Sequence, residues 1–259
     1  MEVVIVASGQ DGGELAARLV LAMAADSPDV VLGLATGGSP LPLYQSLRRA
    51  VADGADLSAA RGFALDEYVG LPPEHPASYH SVIRREVVEP LGLDPDRVQV
   101  PDGMADDIPA ACAAYEDAIR SAGGVDVQIL GIGTDGHIGF NEPSSSLASR
   151  TRIKTLTTQT RHDNARFFRS VDEVPRHCIT QGLGTIMDAG RLVLLASGVG
   201  KAAAVAAAVE GPVSANCPAS VIQLHQHATV IVDEPAASCL EHADYYRETY
   251  ANKPTWQQF

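Results

Sequence analysis

The chain has 259 residues, 46% of them hydrophobic and 20% charged, and a formal charge of −13. That length suits one globular domain, expected over residues 1–259, and the acidic balance argues against nucleic acid or an anionic membrane as partner. No apolar run approaches the roughly 18 residues of a membrane span. Cys112, Cys178, Cys217 and Cys239 are scattered without metal-ligand spacing, as expected of reduced thiols in a cytoplasmic protein.

In chain order, one theme recurs: a short apolar run rich in β-formers, a Gly- or Asp-marked turn, then a helical pattern. MEVVIVAS has no basic leader and reads as a strand; it leads through GQDGG into ELAARLVLAMAA. DVVLGLA leads through TGGSP into LPLYQSLRRAV, and RGFAL leads into DEYVGL. VDVQILGI leads into GTDGHIGFNEP, and RLVLLA through SGVG into KAAAVAAAVEG; ATVIVDEP comes last, before LEHADYYRETYA. Continuous apolar strands alternating with helices predict an α/β fold: a doubly wound, mainly parallel sheet with helices on both faces. Such a sheet takes its ligand beyond the carboxyl ends of its strands. Residues able to do chemistry stand there four times, at Thr36–Ser39, Asp66, Asp135–Glu142 and Lys201.

In ATGGSPLPLY, Gly37 and Gly38 allow a tight turn and a close approach to a ligand. The helix that follows offers free N–H groups and the positive end of its dipole, which suit a phosphate. Thr36 and Ser39 add hydroxyls, although an ordinary turn with Ser39 as N-cap fits the same residues. In FALDEYVGL, Asp66 and Glu67 follow a strand, and in extended chain only one of them faces the crevice. A carboxylate partly withdrawn from water there can act as a general base; a solvated acidic pair is the plainer alternative.

GIGTDGHIGFNEP is more specific. Asp135 and Glu142 bracket His137 within eight residues. A carboxylate holds a histidine in one tautomer and stabilises its charged form, which describes a proton shuttle. No second His or Cys lies at ligand spacing, so no metal is expected. Lys201 opens an Ala-rich helix against the helix dipole, which makes sense beside an anion. Arg166, in RHDNARFF, is a second cation able to fork onto phosphate. The residues alone thus point to proton transfer on a phosphorylated sugar or a similar metabolite.

The combination resembles the glucosamine-6-phosphate deaminase (isomerase) family. ATGGSPLPLY, LDEYVGLPPEHPASYHS, GIGTDGHIGFNEPSSSLASRTRIKTLT, TRHDNARFF, GLGTIMDA, GKAAAVAAAVEGPV and QLHQHATVIVDEP run in family order between Val30 and Pro235. The resemblance implies a Rossmann-like fold and conversion of glucosamine 6-phosphate and water to fructose 6-phosphate and ammonia, without organic cofactor or metal. It implies that Asp66 moves a proton between C2 and C1. His137 would open the sugar ring, with Asp135 and Glu142 orienting it. Thr36, Gly37, Gly38, Ser39, Arg166 and Lys201 would hold the phosphate. SSLASRTRIKTL resembles a segment that binds N-acetylglucosamine 6-phosphate between subunits of allosteric members, which puts an effector on Ser145, Arg152 and Lys154 and implies a homo-oligomer, a hexamer among the forms expected. The tail, LEHADYYRETYANKPTWQQF, departs from the regulated pattern. Ser39 stands where Thr is frequent, Thr134 where Asn is common, and Gln181 in an otherwise apolar segment.

Three rival readings share features. A 6-phosphogluconolactonase has the fold and a similar Asp-Gly-His block, but IGFNEP and DEYVGLP favour the deaminase. An enzyme acting on galactosamine 6-phosphate differs by one inverted hydroxyl. A regulator that binds without turnover has no need of Asp66, Asp135, His137 and Glu142 together.

Overall fold

The computed structural model describes residues 1–254 and 257. Its strands are β1 (Glu2–Val6), β2 (Val31–Leu34), β3 (Arg61–Ala64), β4 (Asp66–Tyr68), β5 (Val98–Gln99), β6 (Val127–Leu130), β7 (Arg152–Thr155), β8 (His177–Thr180), β9 (Arg191–Ala196) and β10 (Ala228–Asp233). The helices are α1 (Gly9–Asp26), α2 (Leu41–Ala52), α3 (Tyr79–Ile83), α4 (Glu89–Leu91), α5 (Ile108–Ser121), α6 (Thr158–Asn164), α7 (Leu183–Met187), α8 (Ala202–Val209) and α9 (Ala243–Ala251).

Seven strands form a parallel sheet in the order β1-β10-β9-β6-β2-β3-β5. Every residue of β2, β6 and β10 is buried. Successive side chains point to opposite faces, so both faces are covered, which is why these strands read as unbroken apolar runs. From β2 the chain steps outward to β3 and β5, then returns to the other side of β2 for β6, β9 and β10. The winding therefore reverses between β2 and β6, and the crevice opens there. Asp126 pins this junction: its carboxylate accepts the Val31 N–H at 2.7 Å. Gly13 lets α1 lie directly against Pro42 in the first turn of α2, where a β-carbon would collide with backbone.

A second sheet was not foreseen. β4, β8 and β7 pair antiparallel in that order, over a small cluster of Tyr68, Leu71, Phe140, Leu156, Val174 and Cys178. Its strands are short and read DEY, RIKT and HCIT, with no apolar run to announce them. DEY in particular is a strand of its own; only Leu65 separates it from β3 before it pairs with β8. Glu116 of α5 fastens the start of β7 to α5 and α7. Its buried carboxylate accepts from the Thr151 N–H (2.8 Å), from the Thr151 and Thr185 hydroxyls and from the Arg150 guanidinium (2.6 Å). These donors hold its pKa below the usual range against the opposing effect of burial.

Candidate active site

The four expected strand ends belong to four adjacent strands, β9, β6, β2 and β3. At the end of β2, Gly37 has φ +91°, which only glycine adopts without strain. A β-carbon on Gly37 or Gly38 would meet open space, so this backbone is bare on the crevice side. Ser39 does not cap α2. Pro40 occupies the cap and Pro42 the first turn, and no side chain bonds to the open N–H groups, which remain available to a ligand. Ser39 instead lies against Gly131 at the end of β6.

Asp66 and Glu67 point apart and do different work. Glu67 accepts the N–H groups of Tyr68 (2.7 Å), Tyr79 (3.0 Å) and His80 (2.9 Å) and so fixes the start of α3. Asp66 is 5% exposed, and no hydrogen bond among the described residues reaches its carboxylate. Burial first, and the neighbouring Glu67 charge second, push it up to about 8. Its Oδ2 lies 3.5 Å from where a β-carbon would stand on Gly139, so that glycine keeps space open beside the acid.

His137 Nδ1 lies 2.7 Å from Asp135 Oδ1, and the same carboxylate accepts the His137 N–H at 3.2 Å. The ring contact falls outside the geometry of a straight hydrogen bond and leaves Nδ1 without an in-line acceptor. His137, with burial opposing and Glu142 adding, holds the Asp135 carboxyl well below the usual range. Gly133 makes room for the imidazole, which fills the place of its missing β-carbon. Glu142 is buried and accepts the Thr160 hydroxyl. Donor atoms of Asp135, His137 and Glu142 all lie within 4.8 Å of one another, close enough to share a proton or to hold one cation.

Lys201 and Arg166 are the two cations expected beside an anion. Lys201 stands at the start of α8; Arg166 is exposed in a single 3-10 turn after α6, not on the helix itself. Neither has an ion-pair partner among the described residues. Burial lowers the Lys201 pKa and Arg166 repels it further, while Asp135 and Asp163 oppose this. Two cations that disfavour each other, with no carboxylate paired to either, are arranged for an anion.

The residues matched to an effector are not joined into one site here. Arg152 and Lys154 share a face of β7. Ser145 is buried in the loop after Glu142 with its hydroxyl unpartnered, and no hydrogen bond among the described residues links it to either cation. Residues 255, 256, 258 and 259 of the tail lie outside the described residues.

Three contributors have roles that were not legible beforehand. Tyr79 hydrogen-bonds Thr36, lies 3.4 Å from the Tyr68 hydroxyl and stacks on Phe140. Thr160 holds Glu142. Gln181, conspicuous in sequence as a polar intruder, is fully buried. Its N–H and side-chain amide bond to the Leu65 and Ala64 carbonyls (2.7 and 3.1 Å). Its own carbonyl accepts from Asn141 at 2.8 Å, tying the Asp66 strand to the His137–Glu142 loop.

Proton transfer on a small phosphorylated metabolite is the chemistry open to this arrangement, and an enzyme of sugar-phosphate metabolism is the class it defines. A family model described as glucosamine-6-phosphate isomerases/6-phosphogluconolactonase matches residues 8–231, and the chain belongs to that family. It is 63% identical over 259 residues to the glucosamine-6-phosphate deaminase of Streptomyces coelicolor, covering 99% of both chains. It is 60% identical to that of Mycolicibacterium smegmatis, again over 99% of each. A solved structure described as a monomeric glucosamine-6-phosphate deaminase superposes with a TM-score of 0.89 at 42% identity, over 92% of this chain and 100% of that one. The 6-phosphogluconolactonase of Trypanosoma cruzi shares the fold at 18% identity, TM-score 0.75, over 93% and 97%.

Proposed function

We propose that this chain is a glucosamine-6-phosphate deaminase, converting D-glucosamine 6-phosphate and water to D-fructose 6-phosphate and ammonia in the breakdown of amino sugars. The observation that carries the reading is the pairing of a buried, unbonded Asp66 with a carboxylate-flanked His137 across one crevice. His137 takes the O1 proton and returns one to the ring oxygen, which opens the pyranose; Asp135 and Glu142 balance its charge. Asp66 then removes the C2 proton of the open aldehyde, giving an enolamine, and delivers it to C1. Water adds to the resulting C2 imine, and ammonia leaves. Raised to about 8, Asp66 is basic enough to take a carbon-bound proton beside a carbonyl.

Phosphate is held by the Thr36–Ser39 loop, Arg166 and Lys201. Arg166→Ala or Lys201→Ala is expected to raise KM for glucosamine 6-phosphate about 10–100-fold, the worth of one charge-assisted contact, with a smaller loss in kcat. Inorganic phosphate should lose its inhibition of both variants in parallel; unchanged KM and inhibition would remove these side chains from the site. The reading extends to one cytoplasmic domain over residues 1–259. No helix among the described residues is long and apolar enough to cross a membrane. It also extends to a homo-oligomer, up to a hexamer, that receives N-acetylglucosamine 6-phosphate on Ser145, Arg152 and Lys154. The exposed Ile153 between those two cations supports a covered face there, and solution mass with and without the effector tests it. The deciding assay incubates the protein with glucosamine 6-phosphate alone and measures ammonia and fructose 6-phosphate together. Equal release establishes the reaction; release of neither, with turnover of 6-phosphogluconolactone or galactosamine 6-phosphate instead, overturns it.

A further inference from the structure

Residues 156–176 leave the small sheet between its two neighbouring strands β7 and β8. The excursion is closed at its base, where the Leu156 N–H bonds to the Arg176 carbonyl at 2.9 Å. It is bound to itself as well: the Arg161 guanidinium donates to the Val171 and Val174 carbonyls at 2.7 and 3.1 Å. Arg166 rides on it, exposed, at the far side of α6. One side chain of α6 turns inward. Thr160 is 6% exposed, and its hydroxyl donates to Glu142 Oε1. That hydroxyl is committed to this direction. Its oxygen lies 2.9 Å from the Thr157 hydroxyl, which is left to act as donor to Thr160. Thr157 Oγ1 also caps the helix by accepting the Thr160 N–H at 3.1 Å. A chain of hydroxyls thus runs from the helix cap to a buried carboxylate beside His137.

We propose that Thr160 is a positioning residue for this reaction: its hydroxyl fixes Glu142 beside His137 and ties that carboxylate to the segment that carries the phosphate-binding Arg166. The kinetic part rests on the deaminase reading above; the tether does not. Without the hydroxyl, Glu142 loses the one side-chain donor that reaches it from α6, and the excursion loses a polar anchor, keeping only the apolar packing of Leu156, Phe168 and Val174 on the small cluster. Phosphate contact and ring opening are then no longer held in one geometry.

Thr160→Val keeps the shape and removes the donor, and Thr160→Ser keeps the donor. Thr160→Val is expected to lower kcat on glucosamine 6-phosphate about tenfold, the effect of one hydrogen bond to a charged group, with KM changed less, and Thr160→Ser should restore most of it. In a Glu142→Gln background the same Thr160→Val change should cost less than about twofold, because residues acting through one another are not additive. The tether is read separately, on the protein without ligand. Trypsin cleavage after Arg161, Arg166 and Arg169 should speed up about tenfold in Thr160→Val and not in Thr160→Ser, since cleavage follows the population of the opened segment. Losses that multiply in the double variant, or failure of serine to restore kcat, overturn the role toward Glu142. Unchanged cleavage overturns the tether. Absence of turnover in the unaltered protein overturns the deaminase reading alone, because the protease result stands without it.

Discussion

Asp66→Asn is expected to lower kcat on glucosamine 6-phosphate by about 10³-fold, within the range of a lost general base, while inorganic phosphate still binds. The substitution is nearly isosteric, and the groups proposed to hold the anion lie elsewhere, at the ends of β2 and β9 and on the 156–176 excursion, so only the proton acceptor disappears. The raised pKa adds two further readouts. With the folded value near 8 and an unfolded value near 4, the native state holds a proton that the unfolded chain has already lost. Stability on this account is full below pH 4 and falls as pH rises toward 8. Asparagine removes that dependence. The variant should therefore melt higher than the unaltered protein at pH 8, by roughly 2–4 °C for each kcal/mol recovered, and the gap should narrow at pH 5 and close only below pH 4. In the active protein, kcat/KM should climb with pH up to the region of 8 as the base becomes free. An active Asp66→Asn protein, or equal melting temperatures at pH 8, would remove Asp66 from the role of buried base. Low activity joined to higher stability is what a functional site predicts, since the buried acid is retained against the interest of the fold.

The large sheet was legible because its strands are buried on both faces and have no choice but to be apolar: VLGL, VQIL and RLVLLA stand out from their surroundings. The strand ends then put Thr36–Ser39, Asp66 and Asp135–Glu142 on one side of the sheet without any coordinate. The small sheet was illegible for the converse reason. DEY and HCIT are three and four residues long and owe their pairing to partners more than 100 residues away in the chain. Asp66 consequently read only as extended chain just beyond a strand, when pairing with Thr180 of β8 is what withdraws it from water. Gln181 shows the same limit. A polar side chain in an apolar run signals something, but its bonds to Ala64 and Leu65 and the bond it receives from Asn141 depend on three segments meeting. Thr160 carried no signal at all, because a threonine near the start of a polar helix is ordinary until its hydroxyl is seen on Glu142.

His137→Gln should separate ring opening from isomerisation. Glutamine can accept or donate a hydrogen bond beside Asp135, but it cannot carry a proton from O1 to the ring oxygen at neutral pH. Turnover of glucosamine 6-phosphate, which enters as a closed pyranose, is expected to fall about 10²–10³-fold. The second half of the reaction can be entered from the other end. Fructose 6-phosphate, phosphorylated on the oxygen that would close a pyranose, closes only as a furanose, which opens in solution without the enzyme, and with ammonia the open ketose reaches the same enolamine. Exchange of its C1 hydrogen with deuterium from solvent then reports Asp66 alone. His137→Gln should keep most of that exchange and Asp66→Asn should abolish it, so the two variants cross over between assays. The crossover is a sharper test than either loss, because a distorted crevice would depress both assays together. If exchange and turnover fall in parallel in His137→Gln, then the imidazole also serves the carbon chemistry. Asp135, held ionised by that imidazole, would then orient a group that acts twice, on the ring oxygen and again on O1 of the enolamine.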